Sequence, residues 1–235
     1  MILFCLSHAG GSAITFNKWR QYLDRHVRLI PLELPGHMSR AKEPLTSNYT
    51  YIMNDLQCKI IEVIGPSDMQ YAIYGHSLGA VLAYECYVNL QNQGVRLPEH
   101  IFFAGSWPPY EINIPDNDMC LDNVDIFTKI VKERGLVNPS ISDNSEIGSY
   151  FIELIRSDLQ LMSNVPRLEP CNIQANITIL WGSEDMRVPY ESLLGWNQVA
   201  KANIRFVCVD GSHLFHLENP QDTVQIINQI LLTNQ

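Results

Sequence analysis

The chain has 235 residues, 46% hydrophobic and 17% charged, a balance that excludes intrinsic disorder and can bury one sizeable core. With 16 Lys and Arg against 25 Asp and Glu the net charge is −9, and without a basic stripe a protein that tracks nucleic-acid phosphates is excluded. Six scattered cysteines lack CxxC or zinc spacing, no apolar run reaches the ~18 residues that span a bilayer, and no basic region precedes Met1-Ile2-Leu3-Phe4-Cys5-Leu6. A soluble cytoplasmic protein with no metal, cofactor or membrane partner is expected.

Short apolar runs alternate with helical patterns from one end of the chain to the other, the signature of parallel βαβ units. A first strand is predicted at Ile2–Ser7, followed by the glycine-rich turn His8-Ala9-Gly10-Gly11-Ser12. Phe16, Trp19 and Leu23 then recur at helical spacing after Thr15 as N-cap, and Val27–Glu33 gives a second strand. Ile52, Leu56, Ile60 and Ile64 mark a helix that Gly65-Pro66 ends. Tyr71–Tyr74 is the third strand, and Ala80, Ala83, Tyr84, Tyr87 and Val88 form the stripe of the next helix, ending near Gly94. Ile101–Ala104, Ile177–Trp181 and Ile204–Val209 are the remaining strands, and Val224, Ile227 and Leu231 mark a closing helix. Such nearly continuous apolar strands belong in a sheet covered on both faces.

Between Ser106 and Ile177 the rhythm breaks. Val124, Phe127, Ile130 and Val131 predict one helix there, and Phe151, Leu154, Ile155 and Leu159 another. A structureless loop of that length is uncommon in a compact domain, so residues 107–172 are expected to form a helical lid inserted into a single domain spanning 1–235.

Chemistry is most concentrated in Gly75-His76-Ser77-Leu78-Gly79. Random order at this composition gives about 0.05 copies of G-x-S-x-G, and here the motif joins a predicted strand to a predicted helix, the setting of a nucleophile elbow. The flanking glycines are expected because side chains there would collide where strand and helix cross. A serine nucleophile needs a base and the base an orienting acid, in the chain order Ser, Asp/Glu, His. Asp185 follows the Ile177–Trp181 strand and His213 the Ile204–Val209 strand, so both lie beyond carboxyl ends of strands, with Ser77. Glu184 and Asp210 are rivals for the acid and His216 for the base; His8, His37 and His76 read as bystanders in loops beyond strands. The backbone N–H of Leu78 is expected as one oxyanion donor. A second should come from the glycine-rich turn, at Ala9. That turn lacks both a P-loop lysine and G-x-G-x-x-G, so a phosphate cradle is excluded.

With these residues in place, the sequence resembles the type II thioesterases, stand-alone α/β-hydrolases that accompany nonribosomal peptide and polyketide synthases. His8-Ala9-Gly10-Gly11-Ser12-Ala13 is similar to the family's N-terminal motif, Leu34-Pro35-Gly36-His37 to its second-strand motif, and Tyr74–Ala80 to its elbow. Arg156-Ser157-Asp158 looks like the lid motif, and Gly211-Ser212-His213-Leu214-Phe215 like the terminal motif. Val165 stands where an aromatic is common, Leu214 replaces a phenylalanine, and the extra upstream antiparallel strand is expected to be missing.

The resemblance implies an α/β-hydrolase fold and a triad of Ser77, Asp185 and His213, with Ala9 and Leu78 as oxyanion donors. It also implies hydrolysis of acyl thioesters from the phosphopantetheine arm of acyl or peptidyl carrier proteins by a monomeric enzyme. Carrier proteins are commonly acidic, as this chain is, so docking is expected to use a local apolar or basic patch. A generic carboxylesterase or lipase, a domain cut from a synthase module, and a degenerate hydrolase scaffold acting as a binding module are the competing readings.

Overall fold

The computed structural model describes residues 1–65, 67–111, 120–133, 145–166 and 170–233. Six strands, β1 (Ile2–Leu6), β2 (Arg28–Pro31), β3 (Tyr71–His76), β4 (His100–Ala104), β5 (Asn176–Gly182) and β6 (Ile204–Val209), lie in the order β2-β1-β3-β4-β5-β6. Every neighbouring pair is parallel. Seven α-helices accompany them: α1 (Tyr49–Ile64), α2 (Leu78–Asn92), α3 (Val124–Glu133), α4 (Ser145–Ser163), α5 (Tyr190–Leu193), α6 (Phe215–Glu218) and α7 (Pro220–Thr233) among the described residues.

Strand periodicity sorts the core into two layers. Ile2, Phe4, Leu6, Tyr71, Ile73, Ile101 and Phe103 pack with Ile52, Leu56, Ile60 of α1 and Leu82, Tyr84, Tyr87 of α2. The alternate residues Leu3, Cys5, Ala72, Tyr74, Phe102 and Ala104 pack with Phe16, Trp19 and the Val224, Ile227, Leu231 face of α7. Both sides of the sheet are therefore dry, which is why the strands read as unbroken apolar runs. Each fully buried large side chain contributes roughly 1.5–3 kcal/mol by leaving water. The described segments between β4 and β5 have their own small core, in which Leu121, Phe127, Val131, Ile152 and Ile155 cluster.

Some boundaries differ from the expected ones. The second strand is Arg28–Pro31, shorter than the expected Val27–Glu33. Pro31 is tolerated because β2 is an edge strand and the bonds to β1 come from its neighbours, Leu32 N–H donating to the Cys5 carbonyl at 2.8 Å. The helix predicted around Phe16 is a 3₁₀ helix, Ala13–Gln21, and its N-cap is Ser12 in place of Thr15. Ser12 accepts from the Ile14 N–H while Thr15 reaches back to the Ser12 N–H, so the two side chains share the capping. Helix α2 is buried on most of its circumference and so carries more than the single stripe expected. Helix α1 does end at Gly65; Pro66 and parts of the 107–172 insertion lie outside the described residues.

The topology sets where chemistry can occur. From β1 the chain moves outward to β2, then returns past β1 to build β3 and the rest of the sheet. The loops leaving β1 and β3 therefore diverge, opening a crevice at their carboxyl ends, where open α/β sheets place their sites.

Candidate active site

Ser77 stands between β3 and α2 with φ at 54° and ψ at −113°, a strained backbone for a residue with a side chain. Its N–H donates to the Ala104 carbonyl at 2.8 Å, so the neighbouring strand holds the turn. The two glycines of the motif permit the crossing: a Cβ on Gly75 would lie 2.1 Å from the Gly79 carbonyl oxygen, and one on Gly79 would lie 2.2 Å from that of Leu6. Only glycine at both positions lets the helix start this close to the sheet.

His213 Nε2 lies 3.2 Å from Ser77 Oγ, and its Nδ1 lies 2.8 Å from Asp185 Oδ2. The second carboxylate oxygen of Asp185 accepts from the N–H groups of Arg187 and Val188, at 2.9 and 3.3 Å. Burial alone would raise the Asp185 pKa. The His213 hydrogen bond, the charge of that ring and the two backbone donors outweigh it and hold the carboxyl below its ordinary value. Asp185 thus stays ionised and fixes the ring with Nδ1 protonated and Nε2 free to accept from Ser77.

The rivals for these roles are elsewhere. Glu184 is exposed, and Asp210 is exposed and accepts from the Ser183 hydroxyl at 3.0 Å. His216 is fully buried beneath the site, with both ring nitrogens unpartnered. Ala9 and Leu78 flank the crevice from the post-β1 turn and the start of α2. Among the described residues, neither of their N–H groups donates to a protein acceptor.

Several side chains do more than sequence reasoning assigned them. His76 donates from Nε2 to the His213 carbonyl at 2.7 Å and accepts from the Tyr74 hydroxyl at 3.0 Å, so it pins the backbone of His213. His76 is the last residue of β3 and not a loop residue, and of the two expected bystander states, solvated or hydrogen-bonded, it is the hydrogen-bonded one. Glu218 accepts from the Ser212 N–H and hydroxyl at 2.8 and 2.6 Å and ties down the loop just before His213. Glu33 accepts from the Ala13 N–H at 2.9 Å and from the Ser39 hydroxyl at 3.1 Å. His37 is hydrogen-bonded as well: it is buried, 3.1 Å from Asp158 of α4. Apart from the lid motif that contains Asp158, only an acidic residue beyond β2 and a histidine beside the nucleophile hinted at these roles.

A family model for the thioesterase domain matches residues 1–231. The chain belongs to the thioesterase family. Among proteins it resembles is the human "S-acyl fatty acid synthase thioesterase, medium chain", 27% identical over 97% of this chain and 85% of that one. The gramicidin S biosynthesis protein GrsT of Aneurinibacillus migulanus is 23% identical over 96% of this chain and 86% of its own length. The crystal structure of ClbQ from the colibactin pathway superposes with a TM-score of 0.88 at 26% identity, covering 99% of this chain and 97% of that one. YbtT, a type II thioesterase of the yersiniabactin pathway, gives a TM-score of 0.82 at 22% identity, over 97% and 91% of the two chains. The thioesterase is thus an α/β hydrolase in fold, as the sequence led us to expect. No helix among its described residues is long and apolar enough to cross a membrane.

Proposed function

We propose that this thioesterase is a serine hydrolase in which Ser77 is the nucleophile, His213 the general base and Asp185 its orienting acid. The observation that carries the reading is the continuous hydrogen-bonded chain from Ser77 Oγ through His213 to Asp185. Ser77 Oγ bonds to the thioester carbonyl carbon while His213 Nε2 takes the hydroxyl proton. The carbonyl oxygen gains negative charge, which the N–H groups of Ala9 and Leu78 stabilise; each such donor contributes about 3 kcal/mol in comparable sites. The C–S bond then breaks, and the thiolate leaves readily because its conjugate thiol has a pKa near ~8.5. It receives the proton from His213. Water, deprotonated by the same ring, attacks the acyl-serine; the acyl C–Oγ bond breaks, Ser77 Oγ takes the proton back from His213, and the carboxylic acid is freed.

The substrate we propose is an acyl or aminoacyl group on the phosphopantetheine arm of a carrier protein in nonribosomal peptide or polyketide biosynthesis. The biosynthetic pathways of GrsT, ClbQ and YbtT, and the near-complete mutual coverage, support that assignment. The segment 107–172 acts as the lid over the acyl chain, and the enzyme works as a cytoplasmic monomer. The decisive experiment compares hydrolysis of acyl-carrier thioesters with matching acyl-CoA thioesters and p-nitrophenyl esters, with Ser77→Ala as control. Carrier-bound thioesters are the preferred substrates, and Ser77→Ala loses at least about a thousandfold in kcat. Faster turnover of simple esters would make the protein a general carboxylesterase, and full activity in Ser77→Ala would overturn the mechanism.

A further inference from the structure

The post-β1 turn is fastened to the lid through a single buried carboxylate. The Gly11 N–H donates to the His8 carbonyl at 2.9 Å, closing a turn whose third residue, Gly10, has φ at +78°. This is the type II arrangement, and glycine at that position can also adopt the type I form by flipping the Ala9–Gly10 peptide. The Gly10 N–H, which belongs to that peptide, donates to Asp158 Oδ2 of α4 at 2.8 Å. The same oxygen lies 3.1 Å from His37 Nε2, while His37 Nδ1 lies 3.1 Å from the Pro35 carbonyl. Both ring nitrogens thus face acceptors. Asp158 and His37 side chains are only 3% and 4% exposed, so the carboxylate is shielded from water and each bond to it is strong. Helix α4 also abuts the turn directly, since a Cβ on Gly10 would meet Ile155 Cγ1 at 2.5 Å.

We propose that Asp158 is a positioning residue. Held by His37, it locks the Ala9–Gly10 peptide in one orientation and thereby places the post-β1 loop, with its Ala9 N–H, for oxyanion stabilisation. Because the N–H and C=O of a trans peptide point in opposite directions, the Gly10 bond to Asp158 aims the Ala9 carbonyl away from the lid carboxylate. Loss of the bond frees this peptide to flip and lets the loop drift. The lid is therefore a structural wall of the oxyanion site as well as a cover for the substrate. The inference rests on the reading of Ala9 as an oxyanion donor.

The test is steady-state hydrolysis of butyryl-CoA by Asp158→Ala, Asp158→Asn and Tyr150→Phe. The last variant removes a lid contact to the Gly36 carbonyl (2.9 Å) without touching Gly10. Asp158→Ala is expected to lower kcat about 10- to 100-fold with KM within threefold, short of the loss from deleting a donor outright. Asp158→Asn, which keeps an acceptor oxygen, should recover most of kcat, and Tyr150→Phe should stay within twofold of wild type. A rise in KM at unchanged kcat, or an equal loss in Tyr150→Phe, would reduce Asp158 to a general lid anchor and overturn the proposal. Should Asp158→Ala not fold, the wild-type protein decides: the Gly10 amide proton exchanges slowly if buried Asp158 holds it, and exchange at free-loop rates would sink the idea. Full activity of Ser77→Ala is a separate outcome that would remove the triad reading itself, whatever Asp158 does.

Discussion

Two Asp–His pairs stand at the carboxyl end of the sheet, one beyond β5 and β6 and one where α4 meets the segment after β2, and they differ in what they leave free. Beyond β5 and β6, Asp185 holds His213 through Nδ1 at 2.8 Å, and Nε2 remains available to Ser77. Beyond β2, Asp158 holds His37 through Nε2 at 3.1 Å, but Nδ1 is consumed by the Pro35 carbonyl. Burial works against charge on His37, yet the Asp158 hydrogen bond and charge, the Pro35 carbonyl and nearby Glu33 hold its pKa above the ordinary value. On the proposed mechanism the same two side chains serve either proton transfer or fastening. The outcome depends on whether the second nitrogen faces a reactive hydroxyl or a backbone acceptor.

Mutations that neutralise each pair would separate these uses. Asp185→Asn should cause the largest effect, a fall in kcat of about a thousandfold, or ~4 kcal/mol in barrier, because the ring loses the partner that sets its tautomer. Thiol release followed with a chromogenic reagent measures it, and a loss under tenfold would break the parallel with charge-oriented bases. His37→Asn should act chiefly on stability. Removing the cation strands a buried carboxylate at a cost of roughly 3 kcal/mol, or a drop of about 10 °C in melting temperature for a chain of this size. An unchanged melt would mean that the second pair fastens nothing.

A third buried carboxylate sharpens the comparison because it has no cation. Glu85 of α2 accepts from the Tyr49 hydroxyl, its other oxygen is unpartnered, and burial, outweighing the Tyr49 hydrogen bond, pushes its pKa up to about 7. Between the unfolded carboxyl value near ~4.4 and about 7 the folded state holds the extra proton, so stability falls as pH rises through that window. Glu85→Gln should therefore stabilise the protein by about 1–2 kcal/mol at pH 8 and have little effect at pH 4.5. Thermal melts at the two pH values test this, and equal shifts at both would refute it.

The two halves of the site also differ in how far sequence discloses them. The strand positions and the Gly75–Gly79 elbow were legible because they depend on local patterns: alternate burial, and two glycines that a crossing requires. Asp185 and His213 were legible from their places after β5 and β6. The supports were not. Asp158 meets Gly10 across 148 residues and His37 across 121, and no local pattern records such a meeting. Thr15 was misjudged as the N-cap because the helix begins three residues earlier at Ser12, and Thr15 takes the reciprocal part of the capping by accepting from the Ser12 N–H. His76 looked incidental because its partner is a carbonyl 137 residues away.

The buried imidazoles around His213 have one further consequence, for the proton inventory of the pocket. His76 stacks on His216 at 3.7 Å, His8 lies 5.2 Å from His216, and His213 lies 5.6 Å from His76. Burial, followed by the charges of His213 and Arg187, brings His8 down to about 4, and burial followed by neighbouring histidines holds His76 and His216 far below their usual value. Under the proposed mechanism, a proton arriving on His213 from Ser77 thus finds no second imidazole ready to take it, and its exits are the leaving thiolate or the serine. The same arrangement gives the folded protein an acid limit. These rings favour the folded state while neutral, and that advantage is lost as pH falls below ~6.5, where the unfolded chain takes up protons that the pocket refuses.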